Sequence, residues 1–254
     1  GRQVGEHTFV LSARNNMKRR LKINGVIMFL ATILLAVFPA VFFNHENFHS
    51  KDTVLEILGV ALILLGQLVR ISARGFKSEN SQNGHTLIQT GPYSIVRNPM
   101  YLGIFLIGLG VVLMLFKLWV IFIFIAFFTV RYILLIRSEE KKLRLLFSGT
   151  YALYCSKVPR RVFPSINELI FNDIREYLPL KFKWIRKEIG SVIAVLFLVI
   201  LIESFVDIRN GNIVEYFKEL AWLGVVIFLF ICLSFYLSRF FENGNGVDES
   251  KNNI

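Results

Sequence analysis

The sequence predicts an all-α polytopic membrane protein of about six transmembrane helices. Three observations carry this. The 254 residues are 54% hydrophobic with 25 Phe, and the mean hydropathy is +0.56. A soluble domain of this length carries more charge and fewer unbroken apolar runs. The apolar residues fall in stretches near the roughly 20 residues a helix needs to cross the hydrocarbon core. Finally, the formal net charge of +11 sits in the segments between those stretches, where basic residues meet anionic headgroups. That placement argues against nucleic acid as a partner and for the lipid bilayer.

In chain order, residues 1–22 are basic, with Arg14, Lys18, Arg19, Arg20 and Lys22. Residues 1–16 precede Met17, lack apolar periodicity and read as an extension or tag remnant. The first span, Ile23–Phe43, follows a basic stretch as a signal peptide would. Its core is too long for one and no small-residue cleavage site follows, so it reads as an anchor. The second span is Val54–Ile71. The third, Tyr101–Phe116, is short and needs its polar flanks at the interface. The fourth is Leu118–Ile136, interrupted at Arg131. Ile189–Val206 and Leu220–Leu237 complete the six.

With both termini cytoplasmic, every strongly basic loop falls on one side: the N-terminal stretch, the loop with Arg74, Lys77 and Arg97, and the long segment from Arg137 to Lys187. The opposite loops hold only Lys51, Lys117, Arg209 and Lys218. In domain terms, 23–164 is the functional unit and 188–241 an additional transmembrane hairpin. Between them, 165–187 is an amphipathic linker ending in Lys181-Phe182-Lys183-Trp184-Ile185-Arg186-Lys187. It suits either the bilayer surface or packing on its own domain. The tail 242–254 is polar and reads as disordered.

Candidate chemistry gathers around the third and fourth spans. Gly91-Pro92 marks a turn. Asn98-Pro99 marks a helix start, with Asn as cap and Pro at the first helical position. The free N–H groups there, beside Arg97, would hold an anion, and Tyr93 and Tyr101 could stack on a base. A plain capped helix with interfacial tyrosines fits the same residues. Past the fourth span, Arg137-Ser138-Glu139-Glu140 offers two carboxylates for a cationic ligand or a ribose, or else a solvated Glu140–Arg144 pair one turn apart. Arg131 either snorkels or meets substrate. Residues from Phe147 to Tyr154, then Val158-Pro159-Arg160-Arg161-Val162-Phe163-Pro164, read as a helix end, a short helix and an extended strip. Cys155 and Cys232 have no metal-ligand spacing, so neither a disulfide framework nor a zinc site is expected.

Taken in order over residues 53–164, these motifs resemble the integral-membrane methyltransferases. That family includes isoprenylcysteine carboxyl methyltransferase and the phospholipid N-methyltransferases. The resemblance implies S-adenosyl-L-methionine as cofactor, held in a cytoplasmic cofactor pocket under the helical hairpin, and a lipophilic substrate entering from the bilayer. It implies cofactor contacts at His85, Thr86, Leu87 and Ile88, then Tyr93, Arg97, Asn98, Pro99, Met100, Tyr101 and Glu140. Arg137, Glu139 and Arg131 are the expected substrate contacts. Asn98 replaces the family's usual His; it keeps a hydrogen-bond donor but cannot titrate near neutral pH. The chemistry implied is in-line methyl transfer, dependent on positioning, with no metal, covalent intermediate or assigned acid or base. Membrane sterol reductases, which use NADPH, share an Arg-His-Pro-x-Tyr motif and a Val-Pro strip. They typically carry Asn before the Tyr and an acidic residue after the Gly, where this chain has Met100 and Ile104.

Overall fold

The computed structural model describes residues 38–43, 53–81, 86–165, 177–210, 221, 224–233, 235, 236 and 239. The chain divides into two compact units, Gly1–Glu46 and Asn47–Ile254. Within the first, the described residues form one short helical turn, α1 (Pro39–Phe42). The rest of the expected first span, the disordered tail and residues 166–176 of the linker lie outside the described residues.

The regular elements among the described residues of the second unit are helices: α2 (Thr53–Asn80), α3 (Pro92–Ile95), α4 (Pro99–Leu115), α5 (Leu118–Lys157) and α6 (Phe182–Asn210). A further apolar helix, α7, covers Gly224–Leu233. At 1.5 Å per residue the 28 residues of α2 extend roughly 42 Å, more than the hydrocarbon core requires. Glu56 in its first turn and Lys77 in its last suit the helix dipole.

Among the described residues, α2 and α5 are long and apolar enough to cross a membrane. Both carry outward-facing apolar side chains: Val54 on α2 is 73% exposed, and on α5 Phe122 is 74% and Leu134 62% exposed. Outward-facing Phe and Leu on this scale suit lipid rather than water. The 17 residues of α4 reach only about 25 Å.

Two glycine pairs hold α2 against α4. A Cβ on Gly66 would sit 2.6 Å from the Gly103 carbonyl oxygen, and one on Gly103 would sit 2.7 Å from that of Gly66. Gly59 and Gly110 approach each other in the same way two turns along. Because 59 meets 110 and 66 meets 103, the helices run antiparallel. Backbone contact of this kind replaces the hydrophobic drive that lipid cannot supply.

A tight hairpin at Phe116 and Lys117 then returns the chain as α5. Phe105, Phe124 and Phe128 pack across it, Phe105 and Phe128 edge to face at 4.9 Å. The cytosol-predicted ends of α2, α4 and the apolar part of α5 therefore lie at one end of the bundle.

The α5 helix does not stop at Ile136, where the expected span ends, but runs 40 residues to Lys157 with a break at Ser148 (φ 25°, ψ −102°). Such a φ is costly for a residue with a Cβ. It divides the membrane-length helix from a short one, after which 158–165 carry no regular secondary structure and bend at 161–163.

The start of α6 and the residues just before it dock on α2. Trp184, Ile185 and Leu180 are buried, and Trp184 lies flat over Gly75, where any side chain would overlap its indole. Glu79 accepts from Trp184 Nε1 at 2.8 Å and from Lys181 Nζ at 2.6 Å. Buried Glu188 pairs with Arg74 at 2.9 Å, while Arg70 donates to Ser191 Oγ at 2.7 Å. The aromatic-basic string therefore turns Trp184 and Ile185 inward, leaving its Lys and Arg residues exposed.

Candidate active site

The polar junction at the shared end of α2, α4 and α5 is assembled by three segments: 86–101, 137–144 and 151–161. Gly91 opens the first with φ 61°. That region is open to Gly at no steric cost, and a Cβ there would also strike the Phe76 ring at 2.8 Å. The turn is closed by Ser94, whose N–H and hydroxyl both donate to the Gly91 carbonyl.

Residues 97–98 lie beside the 158–165 strip. Arg97 N donates to Arg160 O at 3.0 Å, and Asn98 N donates to Arg161 O at 2.9 Å. Asn98 stands at the cap position of α4 with Pro99 following, yet its side chain makes no capping bond. Its Nδ2 donates to Arg161 O at 3.1 Å instead. The expectation of a side-chain cap is thus corrected: the amide is turned toward the strip by the bond from its Nδ2, and the cap position is served by backbone alone. Tyr101 N and Leu102 N both donate to Asn98 O.

Arg97 is the hub. Its Nη2 donates to Pro159 O at 2.8 Å and its Nη1 to Cys155 Sγ at 3.2 Å. Nη1 also stands 2.9 Å from Glu140 Oε1, with both side chains nearly buried. Arg161 Nε approaches the same oxygen at 3.5 Å. The solvated Glu140–Arg144 pair that local spacing allowed gives way, at Glu140, to this buried pairing with Arg97. Burial pulls the Arg97 pKa down, but the Glu140 charge and smaller contributions from Cys155 and Tyr151 together outweigh it and the net shift is upward.

Although close, the Arg97–Glu140 contact lacks hydrogen-bond alignment: Glu140 Oε1 and Arg97 Nε are both buried without a hydrogen-bond partner. Buried polar atoms left in this state are uncommon and demand a reason.

Two tyrosine bonds tie the segments together. Tyr101 donates to Glu139 Oε1 at 2.7 Å and meets Tyr132 edge to face at 5.0 Å. Tyr154 donates to the Tyr93 carbonyl at 2.7 Å, and Tyr93 donates to Ala73 O at 3.3 Å. Burial raises the Tyr93 pKa, and the charge of Glu139 adds to it, so this hydroxyl is a donor rather than a base near neutral pH. Beneath them Tyr151, Tyr154 and Val158 form an apolar floor with Leu87, Phe147 and Cys155 against it. A hollow of about 210 Å³ opens beside Glu140, lined also by Arg137, Lys141, Arg144 and Arg161.

The expected contacts therefore divide. Tyr93, Arg97, Asn98, Pro99, Tyr101, Glu139 and Glu140 come together, and Arg137 borders the hollow. Leu87 packs into the floor, Ile88 and Met100 are half-buried, and Thr86 is exposed. His85 lies outside the described residues. Arg131, eight residues before Glu139, is roughly 12 Å back along the helix. The sequence reading assigned no role to Tyr151, Tyr154, Cys155 or Arg161. A tyrosine pair at i, i+3 followed by Val-Pro-Arg-Arg was the available signal.

Comparison with known proteins agrees with the resemblance drawn from the motifs. Residues 54–150 match the phospholipid methyltransferase family. Protein-S-isoprenylcysteine O-methyltransferase of Saccharomyces cerevisiae (strain ATCC 204508 / S288c) is 38% identical over 124 residues, 44% of this chain. The chain spans about half the length of that curated relative, 50% of it being covered. No solved structure matches. The matched segment holds α2 through most of α5, and with them every residue of the junction except those of the strip and the short helix before it. Over that segment the chain is similar to the phospholipid methyltransferase family and to the yeast isoprenylcysteine O-methyltransferase.

Proposed function

We propose that the chain is an S-adenosyl-L-methionine-dependent methyltransferase acting on a lipophilic substrate, a prenylcysteine-type carboxylate or a phospholipid amine. The observation that carries this reading is the junction itself. Within the family segment, Arg97, Tyr101, Glu139 and Glu140 meet at one end of an apolar bundle, and one buried carboxylate oxygen there still has an open lone pair. An acceptor of that kind fits a ribose hydroxyl or an ammonium group, both of which the cofactor presents. Glu140, Arg97, Tyr93 and Tyr101 would hold it, with the 86–88 backbone alongside.

When bound, the cofactor supplies a methyl group on an already activated sulfonium, so the chain's task is alignment. Arg97 orients Glu140 while itself fixed by the Pro159 carbonyl and Cys155. Tyr101 fixes Glu139, and Arg137 stands where an acceptor carboxylate or phosphate would be neutralised. A carboxylate acceptor needs no deprotonation, and an amine releases its proton on attack. The outward-facing apolar surfaces of α2 and α5 suit an acceptor that arrives through lipid.

A reductase using NADPH is the alternative reading of the Arg-Asn-Pro-Met-Tyr start of α4, and the family match does not favour it. Calorimetric titration of the purified protein with S-adenosylhomocysteine and, separately, NADPH decides. Binding of the first alone supports the methyltransferase; binding of NADPH alone overturns it.

A further inference from the structure

Residues 72–80 of α2, Ser-Ala-Arg-Gly-Phe-Lys-Ser-Glu-Asn, lie past Ile71, where the apolar run ends, and are mostly poor helix formers. A helix end of this composition frays unless neighbours pack on it. It stays helical to Asn80 with two of its faces occupied. Ala73, Phe76 and Asn80 stand at i, i+3 and i+7 and share one face. There the Tyr93 hydroxyl donates to the Ala73 carbonyl, the Phe76 ring covers Gly91, and the Thr86 hydroxyl donates to the Asn80 carbonyl at 3.2 Å. Ser72, Gly75 and Glu79 repeat that spacing one residue earlier, about 100° around the helix. On this face Ser72 Oγ donates to Pro179 O at 2.7 Å, the Trp184 indole covers Gly75, and Glu79 accepts from Trp184 Nε1 and Lys181 Nζ.

One short stretch of helix thus carries, on neighbouring faces, the 86–93 part of the junction and the segment that leads into α6. The first lies within the residues matched to the methyltransferase family; the second lies beyond them. We propose that the 179–188 segment positions the cofactor site through the end of α2, with Trp184 and Glu79 as positioning residues, and that ligand binding and the docking of this segment reinforce each other. The identity of the ligand rests on the methyl-transfer reading; the coupling of 86–93 to 179–188 does not. Trp184 is buried, and its N–H ends on Glu79 in the last turn of α2. Losing that bond loosens the last turn, and with it the Phe76 ring and Asn80 carbonyl that hold 86–93 in place. Coupling free energies are reciprocal, so a ligand that orders 86–93 also tightens the hold on 179–188.

The test uses the full chain purified in detergent, with S-adenosylhomocysteine as the probe. The Glu79 side chain is 33% exposed, so E79A leaves the buried packing intact. E79A should bind S-adenosylhomocysteine about fivefold more weakly, at the low end of couplings between sites. Without ligand, its amide hydrogen exchange at 86–95 should quicken while that at 101–115 stays as in the parent. E79Q keeps an oxygen for the Trp184 N–H and gives up only a solvent-screened pairing with Lys181, so it should match the parent in both readouts. W184F keeps a ring over Gly75 without the N–H and should follow E79A. R186A changes an exposed cation on α6 and should behave as the parent does. In the parent, saturating S-adenosylhomocysteine should slow exchange at 181–188 as well as at 86–95.

Unchanged affinity and unchanged exchange at 86–95 in E79A, with 181–188 loosened, would overturn the coupling. Exchange quickened equally across 101–115 would reduce the effect to general destabilisation and overturn the positioning role. A loss in E79Q equal to that in E79A would assign the effect to charge and overturn the part given to the Trp184 bond. If the parent binds no S-adenosylhomocysteine, the methyl-transfer reading fails, and exchange at 86–95 in E79A and W184F still decides whether 179–188 positions that stretch.

Discussion

Replacing Glu140 by Gln removes the charge that Arg97 is built around while preserving shape. At 2.9 Å and an effective dielectric of about 20, the pair's attraction is about 6 kcal/mol. The net effect is smaller, because the carboxylate regains hydration when unfolded and Gln still offers an acceptor. The half-exposed Arg161 at 3.5 Å adds little. We expect E140Q to lose about 2–3 kcal/mol of stability, most of it from leaving Arg97 buried without a counter-ion.

The assay is a double-mutant cycle of E140Q, R97Q and the pair. Unfolding of the detergent-solubilised protein is followed by tryptophan fluorescence. The double variant should lose little more than either single one, a coupling of about 1.5–2 kcal/mol. The same variants should bind S-adenosylhomocysteine at least about tenfold more weakly, corresponding to about 1.4 kcal/mol. Additive losses in the cycle, within about 0.5 kcal/mol, would refute the pairing as the organiser of the junction.

Other expectations follow from single contacts. G66L should separate α2 from α4, since a Cβ there already meets the Gly103 carbonyl at 2.6 Å; overpacking of this kind costs about 1–3 kcal/mol, read in the same unfolding assay. G91A should lose about 1–3 kcal/mol from backbone strain alone and lower cofactor affinity, because φ 61° sets the turn carrying Tyr93. W184A should expose the 177–210 segment to limited proteolysis and cost about 3–5 kcal/mol, since buried Trp184 is also the donor to Glu79. Y154F should cost about 0.5–1.5 kcal/mol through loss of the bond to the Tyr93 carbonyl.

The elements legible in the sequence were those set by local rules. Pro99 begins a helix where proline is tolerated, and the short helix after Ser148 follows a Gly-containing break. The antiparallel α4–α5 hairpin follows from apolar run lengths. The partners of the polar residues were less legible. Spacing along one helix pairs Glu140 with Arg144, but the ladder between 97–98 and 160–161 brings Arg97 in from another segment. Asn98 has the composition of a cap, yet the Arg161 carbonyl lies within its reach. The Gly59–Gly110 and Gly66–Gly103 contacts were hidden because each needs its partner helix to be seen. Trp184 illustrates a choice the sequence left open, since an aromatic among lysines suits a bilayer surface as well as a glycine on a neighbouring helix.

The central claim is methyl transfer to an apolar acceptor from a donor held at the Arg97–Glu140 junction. Membranes bearing this protein, incubated with methyl-labelled S-adenosylmethionine and extracted into organic solvent, test it most directly. Label should enter a lipophilic product with the parent chain and fall to background with R97A. No label in any extractable product, at a concentration where the donor is shown to bind, would contradict the account.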